Sequence, residues 1–301
     1  MLMFSIIIPT YNRLESLKIA LNSVLTQSYK NYEIIVIDDG SFDGTKEYIE
    51  SLHNENIIYL WQKNSGLPSV ARNAGILLSK GEWVAFLDSD DFWYQDKLLE
   101  VYKEIKNIKG KNIIAISHWE DMIIENSIVK ILKHGTKKTV NTYEELLFKG
   151  NFLSTSAITV KRTALINIGL FDVKKEYFIV EDYELWLRLA KIGDFIYVNK
   201  VLGAYCINGK KNNISNNIEK TNENLKNVII DHISKLEIDN KIKSKLLKKH
   251  ISRIDYYKGR NYQVQGDFQK AILVLLSSIR NYPFSLKKWI SLFLAIIKIK
   301  K

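Results

Sequence analysis

Asp88-Ser89-Asp90-Asp91 puts three carboxylates within four residues, directly after the apolar run Trp83-Val84-Ala85-Phe86-Leu87. Buried and unpaired, such groups repel one another strongly. A solvated turn with Asp90 or Asp91 capping the next helix would relieve that repulsion. A metal-diphosphate site accounts for the cluster better. Hard cations such as Mg2+ or Mn2+ take one or two carboxylates and fill the remaining positions with phosphate oxygens and water. Asp88 and Asp90, on alternate residues, can then face different parts of one nucleotide.

The elements that must position this turn are legible in the first hundred residues. Apolar runs at 4–8, 33–37, 56–60 and 83–87 read as strands, and helical patterns at Leu14–Leu25, 43–52 and 70–79 lie between them. Continuous apolar strands of about five residues alternating with helices predict a parallel sheet covered on both faces. Right-handed crossovers place the loops 9–13, 38–43, 64–72 and 88–91 at one sheet edge, where α/β folds bind ligands. Further on, the pattern predicts helices at 96–108, 161–168 and 182–192 and strands at 113–117 and 156–160. It predicts a mobile loop at 203–217 and only helix from Ile218 onward; the mixed-charge segment up to Gly150 supports no assignment.

Taken together, Ile8-Pro9-Thr10-Tyr11-Asn12-Arg13, Ile37-Asp38-Asp39-Gly40-Ser41-x-Asp43-Gly44-Thr45, Asn64-x-Gly66 with Ala71-Arg72-Asn73-x-Gly75, and Asp88-Ser89-Asp90-Asp91 resemble the family 2 glycosyltransferases. These are inverting enzymes of the GT-A fold. The resemblance runs from residue 4 to about 215, with the four motifs in order at four strand ends. It implies an α/β GT-A fold with a mostly parallel central sheet. It also implies that Pro9, Tyr11 and Arg13 line the donor's base pocket and that Asp39 accepts a hydrogen bond from uracil. Asn64 and Arg72 would border the donor phosphates, Asp88 would touch the ribose or sugar, and Asp90 would hold a divalent metal, Mn2+ or Mg2+. For 38–44, a turn in which Asp43 caps the next helix is the competing role.

The resemblance extends to Glu181-Asp182-x-Glu184-Leu185-Trp186-x-Arg188, where the family has a Glu-Asp pair opening a helix. Inversion in a single displacement needs a carboxylate to deprotonate the acceptor hydroxyl, and Asp182 fits that role, with Glu181 beside it. A carboxylate favoured by the helix dipole is the plain alternative. Trp186, one turn on, would either stack on a sugar or sit in the core. The family often continues with Tyr-Arg-x-His; here Tyr205 remains, but Cys206 and Asn208 replace the Arg and His. Lys210 or Lys211 would supply the missing charge on a loop closing over the donor.

Composition separates the chain into two parts of unequal charge. Its 301 residues suit one large domain or one with an appendage, and the formal net charge is +11. Residues 1–215 are balanced at 26 basic and 26 acidic side chains, whereas 216–301 hold 18 basic against 7 acidic. A single cysteine, Cys206, excludes an internal disulfide framework and a Cys-based zinc cluster. No basic signal-peptide start appears, and the longest apolar candidate for a span, residues 289–297, is far short of the ~20 needed to cross a bilayer.

In residues 216–301, Gly259, Tyr262, Ala271, Ser278 and Pro283 stand at the spacing of a tetratricopeptide-like helix pair, with Gly266-Asp267 at the turn. Lys241, Lys243, Lys245, Lys248 and Lys249 form a basic run. The final stretch places an apolar block with Trp289 between lysines, which suits an amphipathic helix lying on anionic headgroups; a terminal helix packed on the core is the alternative.

The expectation is therefore an inverting transferase that moves a hexosyl or N-acetylhexosaminyl unit from a UDP-sugar to a glycan or lipid-linked acceptor for surface polysaccharide. The enzyme would be cytoplasmic, peripheral on the inner face of the membrane. A nucleotidyltransferase would want a Gly-rich basic loop after its first strand, which 9–13 is not. A nucleic-acid binder would use the basic tail, but no such motif occurs and an acidic cleft repels phosphate.

Overall fold

The run that begins at Phe4 forms β1 (Phe4–Thr10), flanked in parallel by β2 (Tyr32–Asp38) and β4 (Trp83–Phe86), with β3 (Ile57–Trp61) beyond β2. Between them run α1 (Leu14–Leu25), α2 (Thr45–Ser51) and α3 (Pro68–Leu78). Alternate β2 residues face opposite cores: Ile34 and Val36 pack with Leu17, Leu21 and Val24 of α1, while Ile35 and Ile37 pack with Ala71 of α3. Burial on both faces is why these strands are apolar without alternation. Gly75 lets α3 lie directly on β1, since a Cβ there would stand 2.6 Å from Ile7 Cγ2.

The computed structural model describes residues 2–136, 141–207 and 217–300. After β4 come the short β5 (Phe92–Trp93), α4 (Lys97–Lys106), β6 (Ile113–Ile124), β7 (Ser127–Leu132) and α5 (Thr142–Lys149). Then follow β8 (Ile158–Lys161), α6 (Arg162–Asn167), α7 (Glu181–Leu189) and β9 (Asp194–Ile207). The strand order is β3-β2-β1-β4-β8-β6-β9-β5, with β7 paired to β6. The sheet is parallel from β3 to β4 and mixed beyond, where β8 runs antiparallel to both β4 and β6.

Three local expectations change. Residues 203–207 are strand, not loop: Gly203 and Ala204 pair with Trp93 and Phe92, and Tyr205 and Cys206 pair with Met122 and Ile123. The segment left unassigned holds the end of β6, β7 and α5. The strand expected from Ser156 starts at Ile158, because Thr155–Ala157 form a single 3-10 turn.

The described residues divide into two units, Met1–Val173 with Glu181–Lys210, and Lys174–Val180 with Lys211–Lys301. The second unit is helical: α8 (Ile218–Ser234), α9 (Asn240–Gln265), α10 (Phe268–Asn281) and α11 (Leu286–Ile296). Gly266, at φ 87°, ends α9 in the left-handed conformation that lets α10 fold back. A Cβ on Gly259 would stand 2.7 Å from Leu275, so the expected helix pair packs closely. α11 carries apolar side chains on both its buried and its exposed side. Lys288, Ser291, Leu292 and Ala295 are buried, whereas Leu286, Trp289, Ile290, Phe293, Ile296 and Ile297 are exposed.

Candidate active site

The four loops that follow β1 to β4 are bound to one another. Asn12, at φ 48°, offers its amide to Ser41 Oγ at 2.9 Å and accepts from the Phe42 amide at 3.0 Å. Asp43 accepts from the Leu14 amide at 2.9 Å, and so caps α1 from another loop while its other oxygen takes the Thr45 hydroxyl at 2.6 Å. Burial alone would raise this carboxyl, but its hydrogen bonds hold it below the usual range. Gly40, at φ 91°, leaves room for Asn64, whose amide nitrogen would stand 2.9 Å from a Cβ.

Each of the two acidic neighbours after β2 has its own partners. Asp38 accepts from the Ser41 amide at 2.7 Å and the Tyr59 hydroxyl at 2.7 Å, and so orders the loop. Asp39 is buried and accepts from Gln62 at 2.6 Å and from Ser65 through amide and hydroxyl, each at 3.1 Å. Pro9 belongs to β1 beside Ile37, and Tyr11 is exposed just beyond. Asn64, also exposed, closes its loop by accepting from the Gly66 amide at 2.7 Å.

The Asp88–Asp91 turn distributes its three carboxylates among different partners. Asp90 pairs with the Arg13 guanidinium, and Asp88 with Arg72 Nη2 at 2.8 Å. Burial, together with the charge of Asp88, pushes the Asp90 carboxyl up despite Arg13. Asp91 neither caps a helix nor faces solvent. It accepts from Ser156 Oγ at 2.6 Å and the Cys206 amide at 2.9 Å, which stitches the turn to β9 and the turn before β8. Burial and the neighbouring Glu120, Asp90 and Asp88 push it well above the carboxylate range. Beneath lie Lys97, whose Nζ donates to Thr159 at 3.0 Å, and Glu120, bound to His134 Nε2 at 2.9 Å. Burial pushes the Lys97 ammonium well down.

Glu181 and Asp182 open α7 on the other side of Arg72. Arg72 Nη1 donates to Glu181 at 3.0 Å. Asp182 Oδ1 accepts from the Tyr183 amide at 2.6 Å, and Oδ2 faces Thr155 Oγ1 at 3.3 Å. Burial first, then Glu181, lifts the Asp182 carboxyl to about 7 against the pull of Arg72. A group poised there can accept a proton near neutral pH. Tyr205 on β9 has its hydroxyl pushed up to about 12 by burial and by Asp91, Asp90 and Asp88.

Trp186 takes the core role, not the sugar-stacking one. It is fully buried, with ring centroids 6.3 Å from Phe86 and 6.0 Å from Phe171, and so has no face open to a ligand. Lys210 and Lys211 lie outside the described residues. Ser156 and Gln62 stand outside the quoted motifs, and Ser65 and Asn73, though inside them, carry no expected role; the partners of all four are distant in sequence.

A divalent cation fits the chemistry of this donor set. Among the described residues no group of three His, Cys, Asp or Glu side chains could hold a metal alone. A cation on Asp90 would therefore draw its other ligands from phosphate and water, the habit of Mg2+ and Mn2+. Asp90 already holds one cation, the Arg13 guanidinium.

Comparison with known proteins completes the site. The model of glycosyl transferase family 2 matches residues 5–167. The amylovoran biosynthesis glycosyltransferase AmsB of Erwinia amylovora is 33% identical over 212 residues, 67% of this chain and 69% of its own length. WfgD of Escherichia coli, a UDP-Glc:alpha-D-GlcNAc-diphosphoundecaprenol beta-1,3-glucosyltransferase, is 32% identical over 196 residues, 65% of this chain and 72% of its own. Against uncharacterized glycosyltransferases of Rickettsia typhi and Rickettsia prowazekii the match spans 62% of their length.

Among solved structures, S. aureus TarS 1–349 in complex with UDP-GlcNAc superposes with TM-score 0.68 at 18% identity, over 98% of this chain and 88% of that one. The mannosyltransferase PcManGT from Pyrobaculum calidifontis, in complex with GDP-Man and Mn2+, gives 0.61 at 16% identity, over 98% and 79%. The two structures share the GT-A fold of this chain. With the family model covering more than half of the sequence, the chain belongs to glycosyl transferase family 2.

Proposed function

We propose that the protein is an inverting glycosyltransferase that moves a hexosyl or N-acetylhexosaminyl unit from a UDP-sugar to a glycan or lipid-linked glycan acceptor in surface-polysaccharide synthesis. The observation that carries this reading is Asp182, a carboxylate with a proton affinity near neutrality, one residue from the Glu181 that shares Arg72 with Asp88. The acceptor oxygen attacks the anomeric carbon as Asp182 takes its proton. The bond from that carbon to the diphosphate oxygen breaks, and its electron pair leaves with the nucleoside diphosphate. A divalent ion held by Asp90 would neutralise that leaving group. Pro9, Tyr11 and Asp39 border the base; Arg13, expected at the base pocket, pairs with Asp90 and in this reading borders the phosphates with Asn64, and Tyr205 borders the carboxylate turn. AmsB, an amylovoran biosynthesis glycosyltransferase, and WfgD, which takes UDP-Glc to a diphosphoundecaprenol-linked acceptor, support this choice of donor and acceptor.

The same reading puts the protein at the inner face of the cytoplasmic membrane. Among the described residues no helix is long and apolar enough to cross a bilayer. The outward apolar stripe of α11, within a segment of 18 basic and 7 acidic residues, suits adsorption to anionic lipid. The experiment that tests the reaction incubates the full chain with a panel of sugar nucleotides and Mn2+ or Mg2+. Release of free nucleoside diphosphate from one donor, abolished by EDTA and reduced by several orders of magnitude in Asp182→Asn, is expected. Full turnover in Asp182→Asn overturns the assignment of the base.

A further inference from the structure

We infer that Arg72 is a positioning residue that clamps the helix carrying Asp182 to the turn carrying Asp88, holding the two sides of the site in one register through Glu181. This rests on the reading of Asp182 as the base. The geometry is a bridge: Nη2 to Asp88 Oδ1 at 2.8 Å and Nη1 to Glu181 Oε1 at 3.0 Å, with residues 16 and 109 positions away in sequence. The Arg72 side chain is only 7% exposed, and its Cζ lies 5.5 Å from the Phe171 ring centroid.

An arginine devoted to phosphate keeps its terminal nitrogens open to the cleft. Here both are turned onto carboxylates inside the fold. The neighbouring Asn73 fixes the same junction a second time, donating to the Phe171 carbonyl at 2.9 Å and accepting from the Phe171 amide at 2.9 Å. α3 is thus tied to the segment ahead of α7, as well as to α7 itself. A planar guanidinium spans two carboxylates with fixed separation, whereas a lysine ammonium is a single point charge on a flexible stem.

The charges acting on Asp182 follow from this bridge. Glu181 of α7 and Asp88 of the turn oppose its ionisation, and Arg72 of α3 favours it; Thr155 and Asn151, which also face it, are neutral. Removing Arg72 leaves two unneutralised carboxylates near the base. Removing the charge of Glu181 does the reverse. A residue that merely supports the fold gives no such opposition of sign.

The test measures kcat and donor KM against pH for the full chain and for Arg72→Gln, Arg72→Lys and Glu181→Gln, at saturating divalent metal, with melting curves alongside. The acidic limb of kcat is expected to move up by about one pH unit in Arg72→Gln and down by about one unit in Glu181→Gln. Arg72→Lys should fall between wild type and Arg72→Gln, and kcat should change more than donor KM. If Arg72→Gln does not fold, Arg72→Lys and Glu181→Gln still give the opposed shifts. Limbs that stay fixed, or move together, overturn the inference, as does a loss confined to donor KM, which would make Arg72 a phosphate ligand. Asp182→Asn separates this from the underlying reading. Retained turnover removes the base itself, whereas a dead Asp182→Asn with unmoved limbs removes only the Arg72 bridge.

Discussion

The Ser156 hydroxyl donates to Asp91 at 2.6 Å and, in the same position, accepts the Asp88 amide at 3.1 Å. One side chain thus holds both ends of the turn that carries Asp90. Trp93 Nε1 locks the Ser156 carbonyl at 2.8 Å, so the hydroxyl is itself held in place.

Ser156→Ala leaves a buried carboxyl short of a donor and a backbone amide without its acceptor. The expected loss is about 2–3 kcal/mol of unfolding free energy, measured in urea, because each unmatched buried polar group costs its full desolvation. Donor affinity should weaken as well, since Asp88 and Asp90 lose their common anchor. A change below about 0.5 kcal/mol, the size of an ordinary surface substitution, would refute this role.

Arg13 pairs with Asp90, the carboxylate proposed to hold the divalent ion, and would compete with that ion. Arg13→Gln should therefore bind Mn2+ more tightly than wild type in the absence of nucleotide, by several-fold, when followed by electron paramagnetic resonance of the free ion. With metal present, UDP affinity should instead fall roughly tenfold, because a charge-assisted contact to phosphate is lost. Both changes in the same direction would show that Arg13 does not exchange between carboxylate and phosphate.

How much of this site was legible in the sequence depends on what each feature rests on. The strand-end loops were readable because β1, β2 and β4 are buried on both faces, so Ile6, Ile35 and Ala85 write an unbroken apolar signal, while β3 at the sheet edge is only half-buried. β7 left no such signal: Ile128, Val129 and Ile131 are exposed on an edge, with neither face buried to impose a period. Residues 203–207 look like loop by composition and become strand only through pairing with β5 and β6. Arg72 was recognisable as a site residue, but its bridge to Glu181 crosses 109 residues and has no local pattern. Trp186 could not be assigned to core or cleft until Phe86 and Phe171 were seen around it.

Asp182 should make the fold less stable as it becomes competent. Its folded pKa, lifted to about 7, lies above the ordinary aspartate value, so the native state holds this proton more tightly than the unfolded chain. That contribution is full below about pH 4 and is lost as pH rises through 7. Asp182→Asn removes the titration, so its melting temperature relative to wild type should climb between pH 5 and 8. At pH 8 the gain relative to pH 4 should be on the order of 4 kcal/mol, or about ten degrees. A difference independent of pH would show that Asp182 titrates at an ordinary value.

The outward stripe of α11 offers the last test. Leu286, Trp289, Ile290 and Phe293 follow one another at helical spacing on the exposed side, while Lys288 turns inward and donates to the Tyr282 carbonyl at 3.1 Å. Inserting one large apolar side chain into the acyl boundary contributes about 1.5–3 kcal/mol, so two such contacts account for a partition change of a hundredfold or more. The full chain should sediment with phosphatidylglycerol vesicles, less so at high salt, and weakly with phosphatidylcholine. Trp289→Ser with Phe293→Ser, and separately deletion of residues 284–301, should abolish the sedimentation without changing nucleoside diphosphate release from the donor alone. Binding that survives both variants would place the membrane contact elsewhere. A dimer in light scattering that the same substitutions dissolve would make the stripe a contact between copies of the chain and not a lipid anchor.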